Sequence, residues 1–96
     1  MPSLTTRSSG NVFEDLGFSP QESSLLLVKS KLLTALCTFV DTFDKQADAA
    51  AALGVAQSRI SEITNGKLSK FSTDLLIKLC EKAGIRVNVD TELEAA

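Results

Sequence analysis

The sequence predicts an all-α domain of four or five helices with one short β-strand near its C-terminus. Apolar residues recur three and four positions apart between residues 20 and 43, which is the period of an amphipathic helix. Three shorter segments with helical composition follow and are separated by glycines. Near the end, Ile85, Val87 and Val89 alternate with polar residues, as in a half-buried strand. The 96 residues are enough for one domain with a modest core.

The N-terminal residues 1–12 are polar and lack apolar periodicity, which predicts a flexible arm. The folded domain is expected to span residues 13–90, and residues 91–96 form an acidic tail. Phe13, Leu16 and Phe18 make a short apolar cluster that we expect to dock on the core.

The first long helix has a strong start signal. Ser19 can cap it, Pro20 suits its first position, and Glu22 completes a capping box. Its apolar stripe runs to about Phe43. Leu27 and Val28 lie off this stripe, which indicates a second buried face, either within the chain or at a dimer contact.

Two short helices and a tight turn come next. Residues 46–53 are rich in alanine, a strong helix former, and Gly54 can adopt the left-handed conformation that a sharp turn needs. Residues 57–64 form the following helix. We expect Val55, Ile60 and Ile63 to face the core, and Asn65-Gly66 ends the segment.

A fourth predicted helix begins at the capping residue Ser72 and ends at Gly84. The strand of residues 85–89 follows it. One strand cannot be stable alone, because its backbone groups need partners. No second strand is evident, so we expect pairing with the same strand of another subunit, and therefore a homodimer. The predicted dimer strand comprises Ile85, Arg86, Val87, Asn88 and Val89.

Composition argues against several functions. Without histidine the chain cannot use Ser-His-Asp or Cys-His catalysis or a histidine metal site, and it has no clustered carboxylates or glycine-rich phosphate loop. We therefore expect no enzyme, no cofactor and no metal. Cys37 and Cys80 make no CxxC motif, and reduced buried thiols are favoured over a disulfide. The longest run of large apolar residues is 25–28, so we predict a cytoplasmic protein without a membrane span or export signal.

Charged residues are unevenly distributed along the chain. The whole chain carries −2, but residues 45–70 hold four basic and two acidic side chains, a net charge of +2. Residues 71–96 carry −2. A weakly positive segment predicts few phosphate contacts per subunit, and therefore a need for dimerisation if the partner is nucleic acid.

Residues 46–67 have the shape of a helix-turn-helix, the unit that lays its second helix in the DNA major groove. The spacing alone favours DNA binding over an ordinary helical hairpin. The signature residues also resemble the Cro/CI-type (XRE) family, which implies a lambda-repressor-like fold. They are Gln46, Ala50, Leu53-Gly54, Val55, Ile60-Ser61, Ile63 and Asn65-Gly66-Lys67. Residues 8–22, FSTDLLIKL and GIRVNV are similar to a bacterial subgroup of HigA-like antitoxins.

The resemblance implies roles for individual positions. Base contacts are expected from Gln57, Ser58, Arg59 and Glu62, and phosphate contacts from Gln46, Lys45, Ser61, Asn65, Gly66, Lys67 and Lys70. The chemistry fits, since glutamine can pair with adenine, arginine with guanine, and glutamate with cytosine. Two positions depart from the family pattern. Lys45 and Ala56 stand where serine or threonine often caps a helix, although Asp44 could cap one residue earlier.

The resulting hypothesis is a repressor that binds double-stranded DNA as a homodimer, with two recognition helices about 34 Å apart on a pseudo-palindromic site. The alternative is an antitoxin-type interaction module that binds a toxin protein. Its candidate surfaces are the N-terminal arm, the Leu27/Val28 face and the terminal strand. The acidic tail could attract a basic toxin.

Overall fold

The computed structural model describes residues 11–93 and is all-helical over that range, which confirms the predicted fold class. The helices are α1 (Val12–Asp15), α2 (Pro20–Val40), α3 (Gln46–Leu53), α4 (Gln57–Thr64) and α5 (Thr73–Lys82). A 3₁₀ turn at Leu68–Lys70 connects α4 to α5. Residues 1–10 of the predicted arm and residues 94–96 of the predicted tail lie outside the described residues.

The short helix α1 packs on the N-terminal part of α2 and not on the main core. The Asn11 side chain accepts a hydrogen bond from the Phe13 amide at 3.0 Å and caps the helix. The rings of Phe13 and Phe18 meet edge to face at 6.2 Å, and the Ser23 hydroxyl donates to the Phe18 carbonyl at 3.3 Å. Leu16 stays 70% exposed. The apolar cluster predicted here therefore docks on α2, outside the core.

Helix α2 begins as the sequence predicts. The Ser19 hydroxyl accepts from the Glu22 amide at 3.2 Å, and the Glu22 carboxylate accepts from the Ser19 amide at 3.4 Å. The predicted end at Phe43 is wrong, because α2 ends at Val40. Residues 41–43 turn instead, and the Phe43 ring packs against Phe39 at 5.2 Å. The apolar period includes Phe43 because its side chain folds back onto the helix.

The core forms where the C-terminal half of α2 packs against α4 and α5, and where α3 packs against the same two helices. Its members are Leu33, Leu36, Val40, Ala49, Ala50, Leu53, Ile60, Ile63, Phe71, Leu76, Leu79 and Cys80. Helix α2 therefore supports α4 directly, whereas α3 is held by its contacts with α4 and α5.

By length and composition alone, α2 is long and apolar enough to cross a membrane. The core helix of a soluble protein passes the same test. Here Leu33, Leu36 and Val40 of α2 lie in the core. The predicted second face is only partly covered, since Leu27 is half-buried and Val28 is 47% exposed.

No strand forms in residues 11–93 of a single copy, and the proposed pairing of residues 85–89 with a second subunit stays a prediction. After α5, the Ile85 amide donates to the Cys80 carbonyl at 2.9 Å, and residues 85–93 then continue without helix or strand. Ile85 and Val87 pack against the core, whereas Val89 is 82% exposed. The physical reason is that a ladder of backbone hydrogen bonds needs a second strand, which the described chain does not contain.

Candidate nucleic-acid interface

Helices α3 and α4 are joined by a tight turn at Gly54. Its φ of +69° lies in the left-handed region, which glycine adopts without steric cost. The turn is closed by the Gly54 amide, which donates to Ala51 at 3.2 Å, and by the Val55 amide, which donates to Ala50 at 3.0 Å. Ala49 and Ala50 are buried. Their small side chains let α4 approach α3 closely, as the sequence predicts.

Helix α4 has one buried face and one exposed face, as the sequence predicts. Ile60 and Ile63 are fully buried, and Val55 packs at the edge of the core. Gln57 and Ser58, at the start of the helix, are exposed to solvent. Two buried isoleucines therefore fix the rotation of α4 and turn the first two of the predicted base-contacting side chains outward.

Arg59 makes three contacts within the chain, which distinguishes it from Gln57 and Ser58. Its Nη1 donates to the Glu62 carboxylate at 3.0 Å and to the Lys70 carbonyl at 2.9 Å. Its guanidinium carbon also lies 5.0 Å from the centroid of the Phe71 ring, a cation–π contact. Two predicted base-contacting residues, Arg59 and Glu62, thus bind each other in the isolated protein.

The sequence alone could have indicated only one of the three Arg59 contacts. The spacing of three residues between Arg59 and Glu62 on a helix could have indicated the ion pair. Nothing local indicated the bond to Lys70 or the contact with Phe71, since these residues follow Arg59 by eleven and twelve positions.

The segment after α4 gathers several predicted phosphate-contacting residues. Asn65 follows the helix and donates through its side-chain amide to the Ser61 hydroxyl at 3.3 Å. The Lys67 amide donates to the Glu62 carbonyl at 3.0 Å, and the Lys70 amide donates to the Lys67 carbonyl at 3.0 Å. Both lysine side chains are exposed. The backbone is therefore folded back on α4 and presents two cations to solvent.

Helices α3 and α4 both begin without a side-chain cap. Lys45 and Ala56 occupy the cap positions and make no cap hydrogen bond, and Asp44 does not replace them. In contrast, side chains cap α1, α2 and α5. The first amides of an uncapped helix lack intrahelical acceptors and carry partial positive charge. Gln46, at the start of α3, and Gln57, at the start of α4, are exposed at these two helix ends.

The described residues contain no group of three or more His, Cys, Asp or Glu side chains that could hold a metal ion. The exposed groups at this site are instead amide, hydroxyl and lysine side chains. Such groups donate hydrogen bonds to phosphate oxygens and pair with base edges.

Comparison with known proteins supports this interpretation. A family model described as a helix-turn-helix domain matches residues 12–92, which is most of the chain. No curated protein and no solved structure matches the chain. Proteins of this kind are DNA-binding regulators and are typically not enzymes. With α3, the Gly54 turn and α4 arranged as described, the chain belongs to a family of helix-turn-helix DNA-binding domains.

Proposed function

We propose that this protein is a sequence-specific transcription regulator that represses by occupying a promoter, with α4 in the DNA major groove. One observation carries the proposal. The polar start of α4 is exposed, while Ile60 and Ile63 anchor the opposite side of the helix in the core. A short helix held rigidly from behind, with polar side chains in front, is the geometry that base reading requires.

Gln57 and Ser58 are the most accessible candidates for base contact. A glutamine can pair with adenine through two hydrogen bonds, and a serine hydroxyl can donate or accept. Arg59 and Glu62, which the sequence also predicts to contact bases, are already joined by an ion pair of 3.0 Å, whereas Gln57 and Ser58 are exposed. The first step of recognition is therefore assigned to the first two residues of α4.

Phosphate contacts are proposed for residues at the start of α3, on α4 and in the segment after α4. They are Lys45, Gln46, Ser61, Asn65, Gly66, Lys67 and Lys70. Two features support this set. Lys67 and Lys70 are exposed next to the end of α4, and the uncapped starts of α3 and α4 leave amides available to anionic oxygens.

The proposed active species is a homodimer in the cytoplasm. Few cations surround each α4, so one copy would make few phosphate contacts, and two copies would double them. The segment of residues 85–89 is the proposed contact, because it lacks a strand partner in the described chain and ends at the exposed Val89. A two-fold pair would place its recognition helices about 34 Å apart.

The test is selection of a binding site from a random pool of duplexes, followed by affinity measurements at several salt concentrations. We expect Gln57→Ala to lower the preference for the selected site, at a cost of about 1–3 kcal/mol for the base involved. We expect Lys67→Ala to weaken all duplexes alike and to lower the salt slope by about 1. Gln21→Ala, at an exposed position of α2, is the control and should change neither quantity. The absence of any salt-dependent duplex binding would overturn the proposal.

A second candidate function is supported by a different surface. Five large apolar side chains near the start of α2 are more than two-fifths exposed: Val12, Leu16, Phe18, Leu25 and Val28. Exposed apolar side chains, where they gather on one surface, are typical of protein-interaction sites. The antitoxin alternative would use this face to bind a toxin protein. Co-expression with the product of the neighbouring gene should then give a stable complex, which Leu25→Asp should break and Gln57→Ala should not.

A further inference from the structure

We propose that Arg59 is a positioning residue rather than a base-reading one. Its guanidinium ties α4 to the 3₁₀ turn of residues 68–70 and thereby holds Lys67 and Lys70 in place for phosphate contact. This inference rests on the proposed DNA-binding function and assigns Arg59 a role different from the one that the sequence predicts.

The first argument is geometric. Arg59 bonds to the Lys70 carbonyl at 2.9 Å and to Glu62 at 3.0 Å, so one side chain joins the helix to the end of the turn. Its guanidinium also lies 5.0 Å from the Phe71 ring centroid. Phe71 is only 2% exposed and belongs to the core. The guanidinium therefore lies over an aromatic ring whose position is fixed by packing in the core.

The second argument concerns what else holds the turn. At its start, the Lys67 amide donates to the Glu62 carbonyl at 3.0 Å. At its end, the Lys70 carbonyl accepts from Arg59. Both ends of the segment that carries the two exposed lysines are thus bonded to α4, and Arg59 supplies the bond at the far end. Fixing this backbone before binding lowers the ordering cost of each phosphate contact.

The third argument concerns the choice of side chain. The guanidinium is a planar fork with five donors, so it can bond to a carbonyl and a carboxylate while stacking on a ring. Lysine can supply the charge but not the planar stacking or the fork. The pairing with Glu62 also balances the Arg59 charge within the protein. Lys67 and Lys70 are then the exposed cations at this end of α4.

The affinity test compares Arg59→Ala with the wild type on selected and unrelated duplexes. We expect about a tenfold loss on both, an unchanged ratio between them, and a salt slope lowered by about 2, because two phosphate contacts weaken together. A base-reading Arg59 would instead lower the ratio of selected to unrelated affinity. That result would overturn the proposal.

A double-mutant cycle checks that Arg59 acts through the lysines. In a Lys67→Ala/Lys70→Ala background, we expect Arg59→Ala to cost less than twofold in affinity, because the residues that it positions are gone. Full additivity of the effects would contradict the proposed coupling.

A third measurement does not depend on DNA. We expect amide hydrogen exchange of residues 67–71 to rise at least tenfold in Arg59→Ala and in Arg59→Lys, with circular dichroism showing that both variants stay folded. Lys45→Ala, which removes a cation away from the turn, is the control and should leave this exchange unchanged. Unchanged exchange in both Arg59 variants would overturn the positioning role even if DNA binds. Raised exchange without any DNA binding would show that only the proposed function has failed.

Discussion

The Cys80 thiol shows how burial determines the chemistry of a single residue. It lies on α5, fully buried, with its sulfur 3.9 Å from the Leu32 carbonyl oxygen of α2. Burial raises the pKa of this thiol above its ordinary value of 9.0, and the nearby Glu81 carboxylate raises it further. The predicted buried thiol is confirmed at Cys80, whereas Cys37 is half-buried.

This pKa shift predicts a pH dependence of stability. The unfolded chain releases the Cys80 proton near the ordinary thiol pKa, while the folded chain retains it to higher pH. The unfolded state therefore binds fewer protons in that window, and the free energy of unfolding falls as pH rises. We expect this fall to begin above about pH 8.5. Urea unfolding between pH 7 and 10 measures it.

The matched variant for the pH series is Cys80→Ala, which should be less stable at pH 7 because it leaves a small cavity. Its alkaline fall should be shallower than that of the wild type. An identical fall in both proteins would show that groups other than Cys80 cause it.

At the scale of single elements, side-chain capping differs between the helices. Helices α1, α2 and α5 have a capping side chain, whereas α3 and α4 of the helix-turn-helix have none. The sequence shows where α2 and α5 begin, because in each the cap and its partner lie within three residues of each other. The Ser19 capping box and the Ser72 cap are both confirmed, with Ser72 accepting from the Leu75 amide at 3.1 Å. The end of α2 could not be found in this way, since Phe43 continues the apolar period after the chain has turned.

The uncapped start of α4 gives a stability prediction. Ala56 has φ −72° and ψ 155°, a conformation in which a serine hydroxyl could accept an amide of the first turn. We expect Ala56→Ser to raise the free energy of unfolding by about 1 kcal/mol. Denaturant unfolding is the measurement.

The control for this substitution is Ala52→Ser, at an exposed position of α3. It makes the same chemical change inside a helix, where serine is a slightly weaker helix former than alanine, so no gain is expected. Equal effects of the two substitutions would contradict the capping explanation.

At the scale of the whole molecule, apolar surface remains uncovered at two places. The structure measures 47 × 23 × 23 Å, and the N-terminal part of α2 carries exposed Leu25 and Val28. The segment after α5 ends with Val89 and Leu93 exposed. Val28 and Val89 also line one groove, with Lys31 and Asp90 beside them. The proposed dimer contact and the alternative partner surface thus lie close to each other.

The dimer proposal gives a prediction at this scale. We expect wild-type protein to be a dimer by light scattering at micromolar concentration, and Val89→Asp to be a monomer. The substitution places a charge at the proposed contact, while its cost to the folded monomer should stay within about 0.5 kcal/mol because the site is a surface one.

Val12→Asp is the matched control, since Val12 is also exposed but lies on α1. It should leave the dimer intact. A wild-type monomer at micromolar concentration would contradict strand pairing. Loss of the dimer in Val12→Asp but not in Val89→Asp would show that the dimer contact lies on the N-terminal face.

The sequence by itself determined the helical class, the starts of α2, α3, α4 and α5, the Gly54 turn and the inward direction of Ile60 and Ile63. These features depend on periodicity, capping and glycine, whose physical causes act within about four residues. The tertiary structure decided that α2 ends at Val40, that residues 85–89 form no strand in a single copy, and that Arg59 is bound to Glu62, Lys70 and Phe71. The missing strand and the Arg59 contacts with Lys70 and Phe71 depend on which distant segments meet in space, and a local pattern of residue types does not encode that. Only the ion pair with Glu62, three residues away, is local.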